Sequence, residues 1–267
     1  MSQVAALRQL CIDAVEEIGK VAIGAVRTVG DVVLLLGQVL RLGFKRPFRV
    51  WNVFAQLDFV GAGSIFIVAL TGVFTGMVFA QQSARAFELF DAESLVGPTV
   101  ALALTRELAP VFSALMVTMR AGSAMATELG TMRVTEQVDA LETMAVNPIQ
   151  YLLVPRVLAG LIAVPLLTLV FDAAGLSGAY FVSVVVKGIS AGTFITRTRQ
   201  WLDTEDVVEG LVKAAVFGVT IALIACYRGF NATGGAKGVG QATTQAMVAS
   251  ALGIFILDYF VGLLWHG

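Results

Sequence analysis

The side chains best suited to polar chemistry are concentrated between Leu104 and Arg156, and long apolar runs flank this stretch on both sides. Its carboxylates, amides and arginine suit a wet interface that forms and breaks repeatedly, because charge pairs there set specificity more than affinity. The residues that we expect to make such contacts are Glu128, Arg133, Thr135, Glu136, Gln137 and Asp139. The stretch therefore predicts a polar element that is displayed for another protein to touch.

Arg106 and Glu107 form a second candidate site, because they interrupt an otherwise apolar run. An ionisable residue inside a membrane span costs at least about 2.5 kcal/mol and normally faces protein or a cavity. Adjacent helical residues point about 100° apart, so the two side chains are not expected to pair simply with each other. Two interpretations stay open: each bonds a neighbouring helix and fixes the packing, or one of them lines a transport path. Asp172 and Asp258 raise the same question.

The sequence shows no set of paired catalytic groups of the kind that an enzyme active site needs. His266 is the one histidine, and HExxH does not occur. The Gly-rich stretch 234–240 has no Ser or Thr directly after its lysine, so it is not a phosphate-binding P-loop. We therefore expect no catalytic residue, metal site or cofactor in this chain.

Composition predicts an integral membrane protein. Hydrophobic residues make up 57% of the 267 residues and charged residues only 14%, against roughly 45–50% and 25% in soluble domains. The mean hydropathy is +0.84. A net charge of −1 argues against nucleic acid, which requires a clustered basic surface.

The first 50 residues predict an N-terminal part that lies on the membrane, ahead of a membrane-spanning part over 51–267. Apolar residues recur at helical spacing from Ile12 to Leu42 with charges between them, which is typical of an amphipathic interfacial helix. A basic cluster beside Trp51 would anchor at anionic headgroups: Arg41, Lys45, Arg46 and Arg49.

Five apolar segments are long enough to cross a hydrocarbon core of about 30 Å. They are Val60–Ala80, Leu95–Met119, Leu153–Val186, Val207–Tyr227 and Thr244–Trp265. The first contains Gly72 and Gly76 at the GxxxG spacing that permits close helix approach. A Gly-rich turn, 228–244, is expected between the last two. The bias of basic residues places the N-terminus in the cytoplasm and the C-terminus outside, although Lys187, Arg197 and Arg199 then lie outside, against the rule.

The polar insert, residues 120–148, is expected to be helical from Ala121 to Leu141, with Gly122 and Gly130 as points where the helix could break. Thr135 is the expected N-cap of a short second helix that runs through Met144. Pro148 then marks the end of this second helix.

An aromatic stripe follows the first span if its helix continues past Ala80. Phe79, Ala86, Phe87 and Phe90 have the spacing i, i+7, i+8 and i+11, which places them on one face. This face could be a lipid-binding wall or ordinary packing, and the residues alone do not separate the two.

The central stretch, from Arg106 to Arg156, reads RELAPVFSALMVTMRAGSAMATELGTMRVTEQVDALETMAVNPIQYLLVPR. This stretch resembles the signature of the MlaE/YrbE permeases. These are the membrane subunits of bacterial ABC transporters that work with MCE-domain proteins. The resemblance extends to GVFTGMVFAQQ, PLLTLVFDAAG, VEGLVKAAVFG and GVGQATTQAMV, so it covers the chain from about Trp51 onward.

The resemblance implies an all-α protein of the bacterial inner membrane, with an interfacial N-terminal helix and about five transmembrane helices. The insert would be a cytoplasmic coupling helix between spans two and three, seated on an ATPase subunit that binds ATP and Mg²⁺. The resemblance also implies a homodimer, a periplasmic MCE-domain partner, often a small STAS-like protein, and phospholipid or a similar lipid as cargo. It favours the phospholipid-contact interpretation of the aromatic stripe.

The main alternative is a secondary transporter driven by an ion gradient. Such folds usually contain internal repeats and broken helices at the midplane. The two halves of this chain show no such repeat, and five spans do not divide evenly.

Overall fold

The computed structural model describes residues 2–43 and 50–266, and over these ranges the regular structure is helical, without strands. Five helical segments in this part of the chain are long and apolar enough to cross a membrane. They are Val50–Glu88, Glu93–Val134, Ile149–Val186, Thr204–Phe230 and Gly235–Trp265. The prediction of an all-α membrane protein with five spans is confirmed, and each predicted segment falls inside one of these helices.

Helix α1, Ser2–Gly43, precedes the spans and covers the predicted interfacial helix. Val39 near its end is buried in an apolar cluster with residues of the third and fourth spans. Farther back, Ile23 and Val26 are exposed apolar residues. Arg41 lies in the last turn of α1, whereas the other members of the predicted basic cluster (residues 45, 46 and 49) lie outside the described residues.

The first span is divided in two. Helix α2, Val50–Val60, is separated from helix α3, Ile65–Glu88, by a short 3₁₀ turn at Ala62–Ser64. Gly61 and Gly63 lie at this break, where residues of poor helix propensity weaken a continuous helix.

The second span is a single long helical rod interrupted by two wider π turns, at Leu104–Leu108 and Thr118–Gly122. Pro110 follows the first π turn and has no N–H to donate to the preceding turn, which helps to explain the change of register. The α-helical parts of this span are α4, α5 and α6 (Val96–Ala103, Ala109–Val117 and Ser123–Val134).

Two short helices lie in the connections on either side of the third span. Helix α7, Gln137–Thr143, precedes it, and helix α9, Ala191–Trp201, follows it. The third span itself consists of a π turn at Ile149–Leu153, helix α8 over Val154–Tyr180, and a second π turn at Phe181–Val186. Because successive spans run in opposite directions, α7 and α9 lie at opposite ends of the bundle.

The fourth span is helix α10, Thr204–Phe230, which begins with a capping box made by Asp203 and Asp206. The fifth is helix α11, Gly235–His266. The expectation of a Gly-rich turn over 228–244 is wrong in extent, because only residues 231–234 separate the two helices. Gly234 and Gly235 supply the left-handed backbone that reverses the chain, with φ of 85° and 66°.

Helix α8 is the centre of the bundle and packs between α3 and α10. A Cβ on Gly76 of α3 would collide with the backbone of Gly175 of α8, and one on Gly160 of α8 would collide with Gly218 of α10. The close approach predicted from the GxxxG spacing is therefore present, and it recurs on the other side of α8.

The insert differs from its prediction in three ways. Helix continues through Gly122 and Gly130 to Val134, so the first half of the insert belongs to the second span. Thr135 closes α6 by donating its hydroxyl to the carbonyl of Thr131 at 2.8 Å, and it is not an N-cap. The short second helix ends at Thr143 rather than Met144, and Pro148 lies at the start of the next helical segment.

Candidate functional site

Helix α7 is an exposed element held by one buried side chain. Val138 is fully buried in the apolar cluster that also contains Leu129, Leu153 and Val157. Its neighbours Gln137 and Asp139 are exposed. A seven-residue helix is too short to be stable alone, so this anchorage and its connections to α6 and the third span hold it in place.

Both ends of α7 have a left-handed backbone at residues other than glycine. Glu136, directly before the helix, has φ of 60°, and Ala145, two residues after it, has φ of 58°. Such conformations cost on the order of 1 kcal/mol or more for residues with a Cβ, and they cluster at functional sites. The helix is thus set off from its flanking segments by two sharp backbone turns.

The six predicted coupling residues divide into two groups. Thr135, Glu136, Gln137 and Asp139 are exposed on or beside α7, and Arg133 of α6 binds Asp139 at 2.5 Å. Glu128 lies farther along α6 and binds the buried Arg156 of α8 at 2.7 Å. The structure therefore presents one polar surface around α7 and a separate ion pair between the exposed carboxylate of Glu128 and the buried Arg156.

Arg156 is a functional candidate that the sequence analysis did not single out. Its side chain is buried, and Nη1 also donates to the carbonyl of Leu152 at 2.7 Å. The pair with Glu128 thus joins the end of the second span to the start of the third. Arg156 is the last residue of the central stretch that resembles the family signature, and this position is the feature of the sequence that could have identified it.

Arg106 binds the start of the fourth span. Its Nε donates to Oδ1 of Asp206 at 2.7 Å. The other carboxylate oxygen of Asp206 accepts from the backbone N–H of Asp203 at 2.8 Å, as part of the capping box of α10. One buried carboxylate therefore begins a helix and neutralises an arginine of another span.

Glu107 binds a different residue of the same helix. Nζ of Lys213 lies 2.7 Å from Oε1 of Glu107. The same ammonium is 3.4 Å from Glu209 of α10 and 3.6 Å from Asp258 of α11. Lys213 is completely buried, whereas the side chain of Glu107 is 50% exposed. We call these four residues, together with Arg106 and Asp206, the charge cluster; its formal charges are two positive and four negative.

The π turn at Leu104–Leu108 allows backbone carbonyls of the second span to contact residues of the fourth span. Because Pro110 cannot donate a hydrogen bond, the carbonyl of Arg106 is free to accept from Lys213 Nζ at 3.2 Å. Gly210 of α10 lies against the carbonyl of Thr105, where a Cβ would collide. Arg106 and Glu107 therefore bond neighbouring helices rather than each other, which is the geometry of the packing interpretation. The half-exposed carboxylate of Glu107 leaves a role in the path open.

Asp172 of α8 lies apart from the cluster's ion pairs. It is buried, and its Oδ1 has no hydrogen-bond partner. The structure gives no ion pair for it among the described residues.

The predicted aromatic stripe is only partly a continuous surface. Helix α3 continues to Glu88, as the stripe requires, and Phe79 and Phe87 are half-buried against the core. Ala86 is exposed. Phe90 lies past the end of α3 and is 78% exposed, so it is not held on the helix face by helical spacing.

Removal of the central cation of the charge cluster should destabilise the protein strongly. In the Lys213→Met variant, Glu107, Glu209 and Asp258 lose their shared counter-ion, and breaking a buried pair in this way costs about 3–5 kcal/mol. We expect a clearly lower midpoint of thermal unfolding in detergent than for the unmodified chain.

The matched control is Lys187→Met, because Lys187 pairs with Glu88 at 3.2 Å near the surface. Exposed pairs contribute only about 0–1 kcal/mol, so its midpoint should change little. Equal midpoints for the two variants would contradict the assignment of Lys213 as the centre of the cluster.

Comparison with known proteins gives the family. A sequence model of the family named Permease MlaE matches residues 53–264. That range contains all five spans except the first three residues of the first and the last residue of the fifth, together with α7 and the charge cluster.

Individual relatives cover nearly the whole chain. A probable ABC transporter permease protein of Rickettsia bellii is 42% identical over 94% of this chain and 97% of its own length. A probable ABC transporter permease protein of Synechocystis is 44% identical over 85% of this chain and 86% of its own. The intermembrane phospholipid transport system permease protein MlaE of Haemophilus influenzae is 34% identical over 97% and 99%. The chain belongs to the MlaE family of ABC transporter permeases.

Proposed function

We propose that this chain is the permease subunit of an ABC transporter that moves phospholipid between the inner membrane and a periplasmic MCE-domain protein. The observation that carries the proposal is α7, a displayed polar helix between two spans of a permease that has no nucleotide-binding motif of its own. The relative from Haemophilus influenzae, whose name specifies intermembrane phospholipid transport, supports this cargo. An ion-gradient mechanism loses support because the family is one of ABC permeases.

In the proposed orientation, the N-terminus and α7 face the cytoplasm, where ATP is available. A separate ATPase subunit binds ATP and Mg²⁺ and docks on the surface around α7. Glu136, Gln137 and Asp139 offer it carboxylate and amide oxygens, which favour a basic or amide-rich partner surface. Each hydrolysis cycle then moves α7, and through it the second and third spans.

A second copy of the chain and an MCE-domain protein complete the proposed assembly, often with a small STAS-like protein. Few residues of the fifth span are buried within this chain. Along α11 an exposed apolar face has helical spacing: Val248, Leu252, Phe255 and Tyr259. This face is available for lipid or for the partner subunit of a homodimer.

The phospholipid is proposed to pass along the outer half of α3. Phe79 and Phe87 are packed against the core, while Ala86 between them is exposed. Acyl chains would lie over this surface, where the exposed Ala86 leaves space beside the packed rings of Phe79 and Phe87.

Reversal of the charge at Glu136 should uncouple ATP hydrolysis from transport. Glu136→Lys reverses the charge at one position of the proposed docking surface but still places a residue with a Cβ at the left-handed position, so the backbone cost is unchanged. In proteoliposomes that contain the whole complex, we expect roughly a tenfold loss of lipid moved per ATP hydrolysed, within the usual range of coupling between sites.

Glu93→Lys is the control, because Glu93 is an exposed carboxylate at the opposite end of the same span. It should leave the ratio of lipid moved to ATP hydrolysed unchanged. A normal ratio in Glu136→Lys would count against α7 as the coupling element.

Obstruction of the exposed position in the aromatic stripe should reduce lipid binding. Ala86→Trp adds bulk without removing core packing, so we expect less phospholipid to co-purify in mild detergent. Leu70→Trp, about 160° around α3 from Ala86 and also exposed, is the matched variant and should retain the lipid. Equal lipid yields would show that the stripe is packing alone.

A further inference from the structure

The break in the first span is held by an arginine from the second span. Helix α2 ends at Val60, and the carbonyl of Phe59 in its last turn accepts a hydrogen bond from Nη1 of Arg120 at 2.8 Å. The same nitrogen is 3.2 Å from Oγ of Ser64, the last residue of the 3₁₀ turn and the one directly before α3. One guanidinium therefore contacts the end of α2 and the residue that precedes α3.

The space around the break is shaped for this side chain. The guanidinium carbon of Arg120 lies 5.4 Å from the centre of the Phe59 ring, within the distance of a cation–π interaction. Any side chain at Gly63 would collide with the guanidinium. Ser64, which receives the second hydrogen bond, is fully buried.

These contacts are not those of an ordinary ion pair. Among the described residues, no carboxylate lies within ion-pair distance of Arg120, and its polar partners are a backbone carbonyl and a hydroxyl. A cation in a membrane span is costly, and here it is used to satisfy the end of a helix, where carbonyls lack partners within the helix itself.

The position of Arg120 along the second span gives the contact a mechanical consequence. Arg120 lies in the π turn at Thr118–Gly122, and α6 continues from there to Val134, beside α7. The 14 residues from Arg120 to Val134 span about 21 Å of helix. A displacement of α6 at its α7 end would thus reach the break in the first span through one rigid element.

We propose that Arg120 is a positioning residue that fixes the angle between α2 and α3 and makes α2 move with the second span. The contacts of Arg120 with Phe59 and Ser64 are observed in the structure and do not depend on the proposed function. Only the role of Arg120 in carrying a movement of α7 to the first span rests on the proposed function.

The first test measures the position of α2 without any ATPase. Spin labels are placed at Phe54→Cys on α2 and Thr131→Cys on α6, both exposed positions, in a chain whose Cys11 and Cys226 are replaced by alanine. Electron–electron distance measurements are made in nanodiscs of phosphatidylethanolamine and phosphatidylglycerol. We expect a single narrow distance between the two labels of one chain, and its loss to a broad distribution in Arg120→Gln.

Three further variants make this result specific. Arg85→Gln removes an exposed arginine of α3 and should retain the narrow distance. Gly63→Ala displaces the guanidinium with Arg120 still present, so it should broaden the distribution. In an Arg120→Ala chain, addition of Gly63→Ala should have no further effect, because nothing is left to displace. A narrow distance in both Arg120→Gln and Gly63→Ala would overturn the proposal.

The second test uses the complete complex in proteoliposomes. Arg120→Gln should retain ATP hydrolysis and lose roughly tenfold in lipid moved per ATP, the size of a typical coupling between sites. Arg120→Lys, which can still donate to the Phe59 carbonyl, should recover part of this loss. A broad distance with an unchanged ratio would show a purely structural contact and overturn the positioning role. If the unmodified complex moves no lipid with ATP, the proposed function fails, and the distance measurement still decides the role of Arg120.

Discussion

Charged side chains inside a membrane must find partners within the protein, and this constraint organises the bundle. Arg106 meets Asp206, and Glu107 meets Lys213, so the second span is tied to the fourth at two successive residues. Arg156 meets Glu128 and ties the third span to the second near α7. Each contact joins two different spans. The polar groups therefore determine which helices are neighbours and how the helices are aligned along the bundle axis. Uniform apolar packing cannot determine either.

The apolar packing sets how closely the helices approach. Helix α8 can lie at backbone distance from α3 and α10 because glycines face each other, as at Gly160 and Gly218. The exposed apolar side chains on the outer faces of the spans, such as Phe74 and Leu252, face lipid or a second subunit instead. A rigid centre and polar links near its two ends would suit the proposed transmission of movement from α7.

The sequence predicted the class of the fold well because hydrophobic length and GxxxG spacing depend on local composition. It predicted the boundaries of the insert poorly. Thr135 has the chemistry of an N-cap, but its hydroxyl satisfies the end of the preceding helix, and the left-handed turn falls on Glu136. Gly122 and Gly130 weaken a helix in isolation, yet packing against the fourth and fifth spans keeps it continuous.

The sequence alone did not predict which residues bind Arg106 and Glu107. Their adjacency argued against a simple pair between them, but nothing in the sequence identified Asp206 and Lys213 as their partners. The choice of partners depends on the register between helices, which the π turn before Pro110 sets. Arg156 was missed because a basic residue at the start of a span resembles an ordinary membrane anchor.

The central claim is that this permease works as part of an ATP-driven phospholipid transporter. The most direct measurement is purification of the chain from its native membrane in mild detergent, with mass spectrometry of the proteins and lipids that accompany it. The account predicts an ATPase subunit, an MCE-domain protein and bound phospholipid. An oligomer of this chain alone, without an ATPase, would contradict it.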